Sequence, residues 1–111
     1  MYTVRQTERF ADWHGGLADE KARDAVSVRI VRLEAGNFAD SKSVGGKVSE
    51  MRIDLGPGYR IYYTRQGLEV VILLCGGNKS TQKADIKAAQ AMAKALGERD
   101  GRPAKKPKAK K

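Results

Sequence analysis

The stretch of sequence that decides the fold runs from residue 50 to residue 63 and reads EMRIDLGPGYRIYY. Apolar and polar side chains alternate on both sides of the Gly56-Pro57-Gly58 turn, which is typical of strands with one buried face. A turn this short makes the two strands antiparallel neighbours. We therefore predict a hairpin of strands at residues 47–55 and 59–64.

A third strand follows the hairpin after a second turn at Gln66-Gly67. Residues 69–75 read EVVILLC, a nearly continuous apolar run rich in β-branched side chains, which predicts a central strand covered on both faces. The pattern breaks at Gly76-Gly77, and Ser80 or Thr81 is a candidate cap for a last helix. That helix has an apolar stripe made of Ile86, Ala89, Ala93 and Leu96.

Upstream of the hairpin, the spacing of apolar residues predicts a short strand and two helices. Residues 2–6 alternate as a strand, and Thr7 can cap a short helix that ends at Gly15-Gly16. A second helix is predicted over residues 17–35, with Gly36-Asn37 as its stop signal. The order β-α-α-β-β-β-α predicts an α+β domain, in which helices pack on one face of a small antiparallel sheet.

Length and charge limit the chain to one small domain with a basic end. The 111 residues carry a net charge of +9, and residues 101–111 hold six basic and no acidic side chains; subtracting six from +9 leaves +3 for residues 1–100. We predict a folded domain at residues 1–98 and a disordered polybasic tail at 99–111. The tail either makes salt-sensitive contacts with RNA or keeps the protein soluble.

Few residues offer conventional catalytic or metal chemistry. The chain has one histidine, His14, beside Trp13 at a helix end, and one cysteine, Cys75, in the most apolar strand. We interpret both as structural, and the spacing of Cys and His predicts no metal site. Residues 76–81 (GGNKST) lack the glycines that a nucleotide-binding loop requires. No cofactor, export signal or membrane span is predicted, which suggests the cytoplasm.

A cluster of cations is the most informative candidate site. Arg52 and Arg60 fall on the polar side of neighbouring strands, close to Tyr62. Arginine forks match phosphate oxygens, and tyrosine can stack on a base. Lys79, before the last helix, is a separate candidate site for one phosphate, because it lies next to a helix N-terminus. The alternatives are a solvent-facing sheet whose arginines pair with acidic neighbours, and a solvated loop lysine.

These motifs together resemble a known family. The stretch 50–63, the segment LLCGGNKSTQ at residues 73–82 and Asp85-Ile86 are similar to the RelE/HigB-like toxins called addiction-module killer proteins. The early FADW at residues 10–13 and the helix that ends at Gly36-Asn37 fit the same family. The resemblance covers about residues 2–98.

The resemblance implies the toxin of a bacterial type II toxin–antitoxin pair. Such a toxin is neutralised by an antitoxin, here expected to be a helix-turn-helix, HigA-like protein through which alone it meets operator DNA. Active members cleave mRNA in the ribosomal A site without metal: the 2′-hydroxyl attacks the adjacent phosphate. The resemblance implies Arg60 as the phosphate clamp, Arg52 as a substrate-orienting residue and Lys79 as a further cation. Substrate contacts are expected from Tyr62, Lys47 and Gln82.

Two positions depart from the family pattern and leave other functions open. Asp54 stands where some RelE members have a second basic residue. Gln82 falls near the position at which many carry a Tyr or His that stacks on the base or assists proton transfer. One alternative is a ParE-like protein that has the same fold and poisons DNA gyrase. Another is a protein that binds antitoxin and operator DNA but is no longer toxic.

Overall fold

The fold is that of a computed structural model, which describes the backbone of residues 1–100 and the side chains of residues 1–97. Five strands and three helices follow one another in the order β1 (Thr3–Gln6), α1 (Glu8–Gly15), α2 (Glu20–Glu34), β2 (Ser41–Gly45), β3 (Val48–Ile53), β4 (Tyr59–Gln66), β5 (Val70–Asn78) and α3 (Gln82–Asp100), with a single 3-10 turn (Lys79–Thr81) before α3. The helix α3 continues two residues past the predicted domain boundary at 98, and the rest of the predicted tail lies outside the described residues.

The sheet is mixed, whereas the sequence predicted an antiparallel sheet. Its strand order is β1-β5-β4-β3-β2, and the predicted hairpin β3–β4 pairs antiparallel with Met51 opposite Ile61. The strand β1 instead runs parallel to β5. The two strands are joined by α1, α2 and the strands β2 to β4, and parallel neighbours require such a long connection. The strand β2 was not predicted, since its sequence SKSVG lacks the apolar alternation of a half-buried strand.

The helices cover both faces of the sheet, so the prediction of helices on one face is wrong. On one side, α1 and α2 contribute Phe10, Val26 and Leu33 to a core with Ile61 and Leu73. On the other side, α3 packs on a second cluster, formed by Val48, Tyr62, Ile72, Leu74, Cys75 and Ala89. The apolar run of β5 already indicated burial on both faces, and the third helix is what covers the second one.

Two glycines at the end of β5 let the helices approach the sheet closely. A Cβ atom on Gly76 would lie 2.2 Å from the ring of Trp13 in α1, and one on Gly77 would lie 1.8 Å from the carboxylate of Asp85 in α3. Real carbon atoms do not come that close, so any larger residue would push α1 or α3 away from the sheet.

The ends of the helices agree in part with the predicted caps. The side chain of Thr7 accepts a hydrogen bond from the backbone N–H of Phe10, and Gly36 takes a positive φ of 88° after α2, as predicted. The cap before α3 differs: the amide oxygen of Asn78 accepts from the N–H groups of Ser80 and Thr81. The chain therefore enters α3 through a tight, side-chain-capped turn.

Candidate nucleic-acid interface

Arg52 and Arg60 lie directly opposite each other in the β3–β4 ladder. Side chains of such a pair point to the same face of the sheet, as the sequence predicts. The helix α3 covers this face over Val48 and Tyr62 but leaves the region around the two arginines uncovered. Arg52 is exposed, whereas Arg60 is only 8% exposed. The two arginines therefore share one location but differ in how firmly the protein holds them.

A surface pocket of about 390 Å³ brings the three predicted cations together. Arg52, Arg60 and Lys79 all line it, together with Asp54 and the β3–β4 turn at residues 56–59. A second pocket, of about 420 Å³, lies on the β2 side and shares Arg52 and Asp54 with the first. The pocket thus brings three cationic side chains and one carboxylate, that of Asp54, to the same concave surface.

The β3–β4 turn also orients Arg60. Gly56 and Gly58 have positive φ values of 54° and 79°, a conformation that glycine adopts without strain. The carbonyl oxygen of Gly58 accepts a hydrogen bond of 2.8 Å from Nη1 of Arg60. The turn that makes the hairpin thus also holds one amino group of the guanidinium.

Glu50 is the residue of this site that sequence analysis did not single out as functional. Its side chain is fully buried, and its Oε2 lies 3.7 Å from Nε of Arg60. The same oxygen accepts hydrogen bonds from the hydroxyl of Tyr62 (3.0 Å) and from Nε2 of Gln82 (2.8 Å). Alternation placed Glu50 on the polar face of β3, but only the packing of α3 buries it there, and no local sequence signal reports that packing.

Tyr62 and Gln82 therefore lie elsewhere than expected. Tyr62 is fully buried under α3 and not beside the pocket as an exposed ring. Burial, and the Glu50 carboxylate that accepts its hydrogen bond, raise the pKa of Tyr62 far above its ordinary value. Its phenol stays protonated as a donor to Glu50. Gln82 is half-buried, and its amide faces the same carboxylate.

Lys79 joins the pocket, but the predicted helix N-terminus beside it is partly occupied. The amide oxygen of Asn78 accepts from two of the backbone N–H groups that could have bound phosphate, those of Ser80 and Thr81. Lys79 itself is exposed at the start of the turn. What Lys79 brings to the pocket is therefore its ammonium charge and not a free helix end.

Lys47 is separated from the three cations. It lies in the β2–β3 turn with a positive φ of 63°. It lines a different pocket, of about 280 Å³, with Thr64, Arg65 and Leu96. The predicted set of six residues thus divides into three that line the pocket, two behind it (Tyr62, buried, and Gln82, half-buried) and one at the other end of the sheet.

His14 and Cys75 have structural surroundings. The Nε2 atom of His14 lies 2.9 Å from the carbonyl oxygen of Arg23, a contact that ties α1 to α2. Burial raises the pKa of the Cys75 thiol to about 11, which makes it unreactive at neutral pH. Among the described residues, no group of three His, Cys, Asp or Glu side chains is placed to hold a metal ion. None of the helices in residues 1–100 is both long and apolar enough to cross a membrane.

The architecture and the comparisons with known proteins agree. The solved structure of a double mutant of the E. coli toxin RelE in its free state superposes with a TM-score of 0.64; the match covers 82% of this chain and 95% of that chain at 18% identity. The protein therefore has the fold of a RelE-like toxin, which confirms the resemblance seen in the sequence. The chain belongs to the family of phage-derived, Gp49-like proteins, whose model matches residues 17–97. An uncharacterized protein of Haemophilus influenzae is 47% identical over 94 residues, which are 85% of this chain and 95% of the relative.

Proposed function

We propose that this protein is the toxin of a toxin–antitoxin module and that it cleaves mRNA in the ribosomal A site. The observation that carries the proposal is the pocket in which Arg52, Arg60 and Lys79 meet on the uncovered part of the sheet. A pocket with three cations suits an RNA phosphate, on which negative charge grows during cleavage. In the cell, a HigA-like antitoxin would neutralise the toxin and link it to operator DNA.

The proposed reaction takes place on ribosome-bound RNA and uses the 2′-hydroxyl of the RNA, solvent water and these side chains. The 2′-oxygen forms a bond to the adjacent phosphorus, and the bond from phosphorus to the 5′-oxygen breaks. The products are a 2′,3′-cyclic phosphate and a 5′-hydroxyl. The proton of the 2′-hydroxyl passes to solvent water, and solvent water supplies the proton that the leaving 5′-oxygen gains. Arg60 acts as the clamp on the non-bridging oxygens, Arg52 orients the strand and Lys79 adds charge. Tyr62 and Gln82 hold the carboxylate of Glu50 behind this pocket, and Lys47 lies outside it.

The test is to add the purified protein to a translating extract and to map the 5′ ends of the mRNA. The wild type is expected to produce new ends within A-site codons only when ribosomes are present. Arg52→Ala removes an exposed cation without exposing the core and is expected to slow cleavage about a hundredfold. Arg60→Lys keeps the charge but loses the fork, and we expect a similar loss. Arg32→Ala, an exposed arginine of α2, is the matched control and should cleave like the wild type.

Intact mRNA in an extract containing folded protein would overturn the nuclease proposal. Asp54 in the same pocket favours a second candidate function, because a carboxylate beside Arg52 weakens an anion site. That candidate is a non-nuclease toxin that binds DNA gyrase. Induction that damages DNA and leaves mRNA whole would support it, and growth without arrest would indicate a protein that has lost toxicity.

A further inference from the structure

The carboxylate of Glu50 is buried at the back of the pocket with an unusual set of partners. Its Oε2 accepts two hydrogen bonds, from Tyr62 and Gln82. Its Oε1 is buried without a hydrogen-bond partner, 3.9 Å from the ammonium group of Lys42. A buried carboxylate in a small domain is costly unless nearby charge offsets it. Here the nearest buried cation is the guanidinium of Arg60.

The guanidinium of Arg60 is held from two directions. Its Nη1 donates to the carbonyl oxygen of Gly58. Its Nε is buried, makes no hydrogen bond and lies 3.7 Å from Oε2 of Glu50. The backbone of the turn and the charge of Glu50 together restrict how the guanidinium can rotate. Within the described part of the chain, the Nη2 group remains for a ligand in the pocket that Arg52 and Lys79 also line.

Glu50 also connects this arginine to α3. Gln82 is the first residue of α3, and its amide donates to the same oxygen that faces Arg60. Tyr62 in the neighbouring strand donates to it as well, and its raised pKa keeps the donor protonated. The carboxylate is therefore fixed by two neutral donors, so that its charge acts on Arg60 from a constant position.

We propose that Glu50 is a positioning residue, which orients the guanidinium of Arg60 toward the scissile phosphate and partly offsets its charge. This inference rests on the proposed function and deepens it. Two opposite effects follow from one carboxylate. Its charge weakens the binding of the ground-state phosphate, because it opposes the anion. Its fixed position speeds cleavage, because a guanidinium misplaced by about 1 Å can cost about a hundredfold in rate.

The test is a double-mutant cycle of Glu50→Gln and Arg60→Gln with two readouts. The first is the single-turnover rate of cleavage on ribosomes. Glu50→Gln keeps the shape and the acceptor oxygen, and it is expected to slow cleavage about 10- to 100-fold. In the Arg60→Gln background it should cause little further loss, because the residue acts through that arginine. Losses that multiply, or a wild-type rate in Glu50→Gln, would overturn the proposal.

The second readout is the affinity for an RNA that carries a 2′-deoxy sugar at the scissile position and cannot be cleaved. Glu50→Gln is expected to bind this RNA about three- to tenfold more tightly than the wild type. The gain should fall below about twofold when Arg60 is already glutamine. Unchanged or weaker binding by Glu50→Gln would overturn the proposal, even if the wild type proved not to cleave. In that last case the proposed function fails, and the binding cycle alone decides the inference.

A matched variant shows whether Glu50→Gln acts by mispositioning Arg60 or only by lowering the stability of the sheet. Thr64→Val, at the far end of β4, removes another hydrogen bond of this sheet face, from Oγ1 of Thr64 to the carbonyl oxygen of Lys47 (2.6 Å). It lowers the stability of the sheet face without touching the clamp. It should leave both the cleavage rate and the affinity at wild-type values, and a change equal to that of Glu50→Gln would assign the effect to stability.

Discussion

At the scale of single residues, Arg60 and Glu50 form a buried charge pair whose members depend on each other. The side chain of Arg60 is 10% exposed and that of Glu50 is 0% exposed. When one partner of such a pair is removed, the remaining charge stays in a medium that solvates it poorly. The site residue with the greatest expected effect on cleavage is therefore also important for folding.

We predict that Arg60→Gln lowers the free energy of unfolding by about 2–4 kcal/mol, because it leaves the Glu50 carboxylate without its nearest buried cation. The double variant Arg60→Gln/Glu50→Gln should recover most of this loss, since no unpaired charge then remains. Urea denaturation of the four proteins measures both effects. Purely additive losses would show that the two side chains do not stabilise each other.

A second prediction at this scale concerns pH and Cys75. Burial raises the pKa of the folded thiol from 9.0 to about 11, so the unfolded chain loses this proton first as the pH rises. This group therefore leaves the free energy of unfolding unchanged below pH ~9 and lowers it between pH ~9 and ~11, by about 3 kcal/mol in total. Cys75→Ala should therefore flatten the decline of the free energy of unfolding over that interval. Parallel curves for the two proteins would contradict the shift.

At the scale of the elements, the end of β5 is where two helices meet the sheet from opposite sides. Gly76 faces the ring of Trp13 in α1, and Gly77 faces Asp85 in α3. Asp85 also accepts a hydrogen bond from Thr81 in the turn that carries Lys79. The position of α3, and with it the turn that carries Lys79, thus depends on a strand residue without a side chain.

We predict that Gly76→Ala and Gly77→Ala each lower the free energy of unfolding by about 1–3 kcal/mol, because the added methyl group overlaps a neighbouring side chain. Gly15→Ala is the control: a Cβ there meets nothing within 4 Å at the end of α1, and alanine is the better helix former. Its stability should equal or exceed that of the wild type in thermal unfolding. Wild-type stability of Gly77→Ala would mean that α3 can shift without cost.

At the scale of the whole molecule, charge is distributed unevenly along the chain. Six of the basic residues lie in residues 101–111, outside the described part, whereas residues 1–100 carry the pocket and a net charge of +3. Basic residues that neutralise phosphates make binding depend on salt. We therefore expect the pocket to determine the rate of cleavage and residues 101–111 to contribute to the salt dependence of binding.

We predict that deletion of residues 101–111 reduces the salt dependence of ribosome or RNA binding, by up to about 4 in the slope of log K against log salt. Cleavage at saturating ribosome concentration should stay at the wild-type rate, because Arg52, Arg60 and Lys79 are retained. Titrations at several salt concentrations give the slope. An unchanged slope would assign these residues to solubility alone.

The hairpin and its two arginines could be predicted from sequence because both depend on local rules. The alternation of apolar and polar residues determines which side chains share a face. The short turn makes the two strands neighbours and so brings Arg52 close to Arg60. The strand β2 and the parallel pairing of β1 could not be predicted in this way. They depend on partners far away in the chain, and β2 has almost no apolar residue to mark it.

The buried residues behind the pocket could not be predicted from local sequence patterns either. Tyr62 and Glu50 alternate as surface residues do, yet both are buried. Their burial depends on α3 lying across the opposite face of the sheet from α1 and α2, and the sequence does not state on which face a helix packs. Gln82 was predicted to contact the substrate. In the structure its amide meets Glu50 instead, because α3 packs over this face of the sheet.

The sequence by itself determined the order of most elements, the β3–β4 pairing that puts Arg52 and Arg60 on one face, the start of α1 at Thr7 and the end of α2 at Gly36, because each follows from neighbours a few residues apart. Lys79 meets the two arginines only through the pairing of β4 with β5. Only the tertiary structure decided which of the polar residues remain open to a ligand and which support them from behind. Burial depends on all the elements that pack around a side chain, and those elements come from distant parts of the chain.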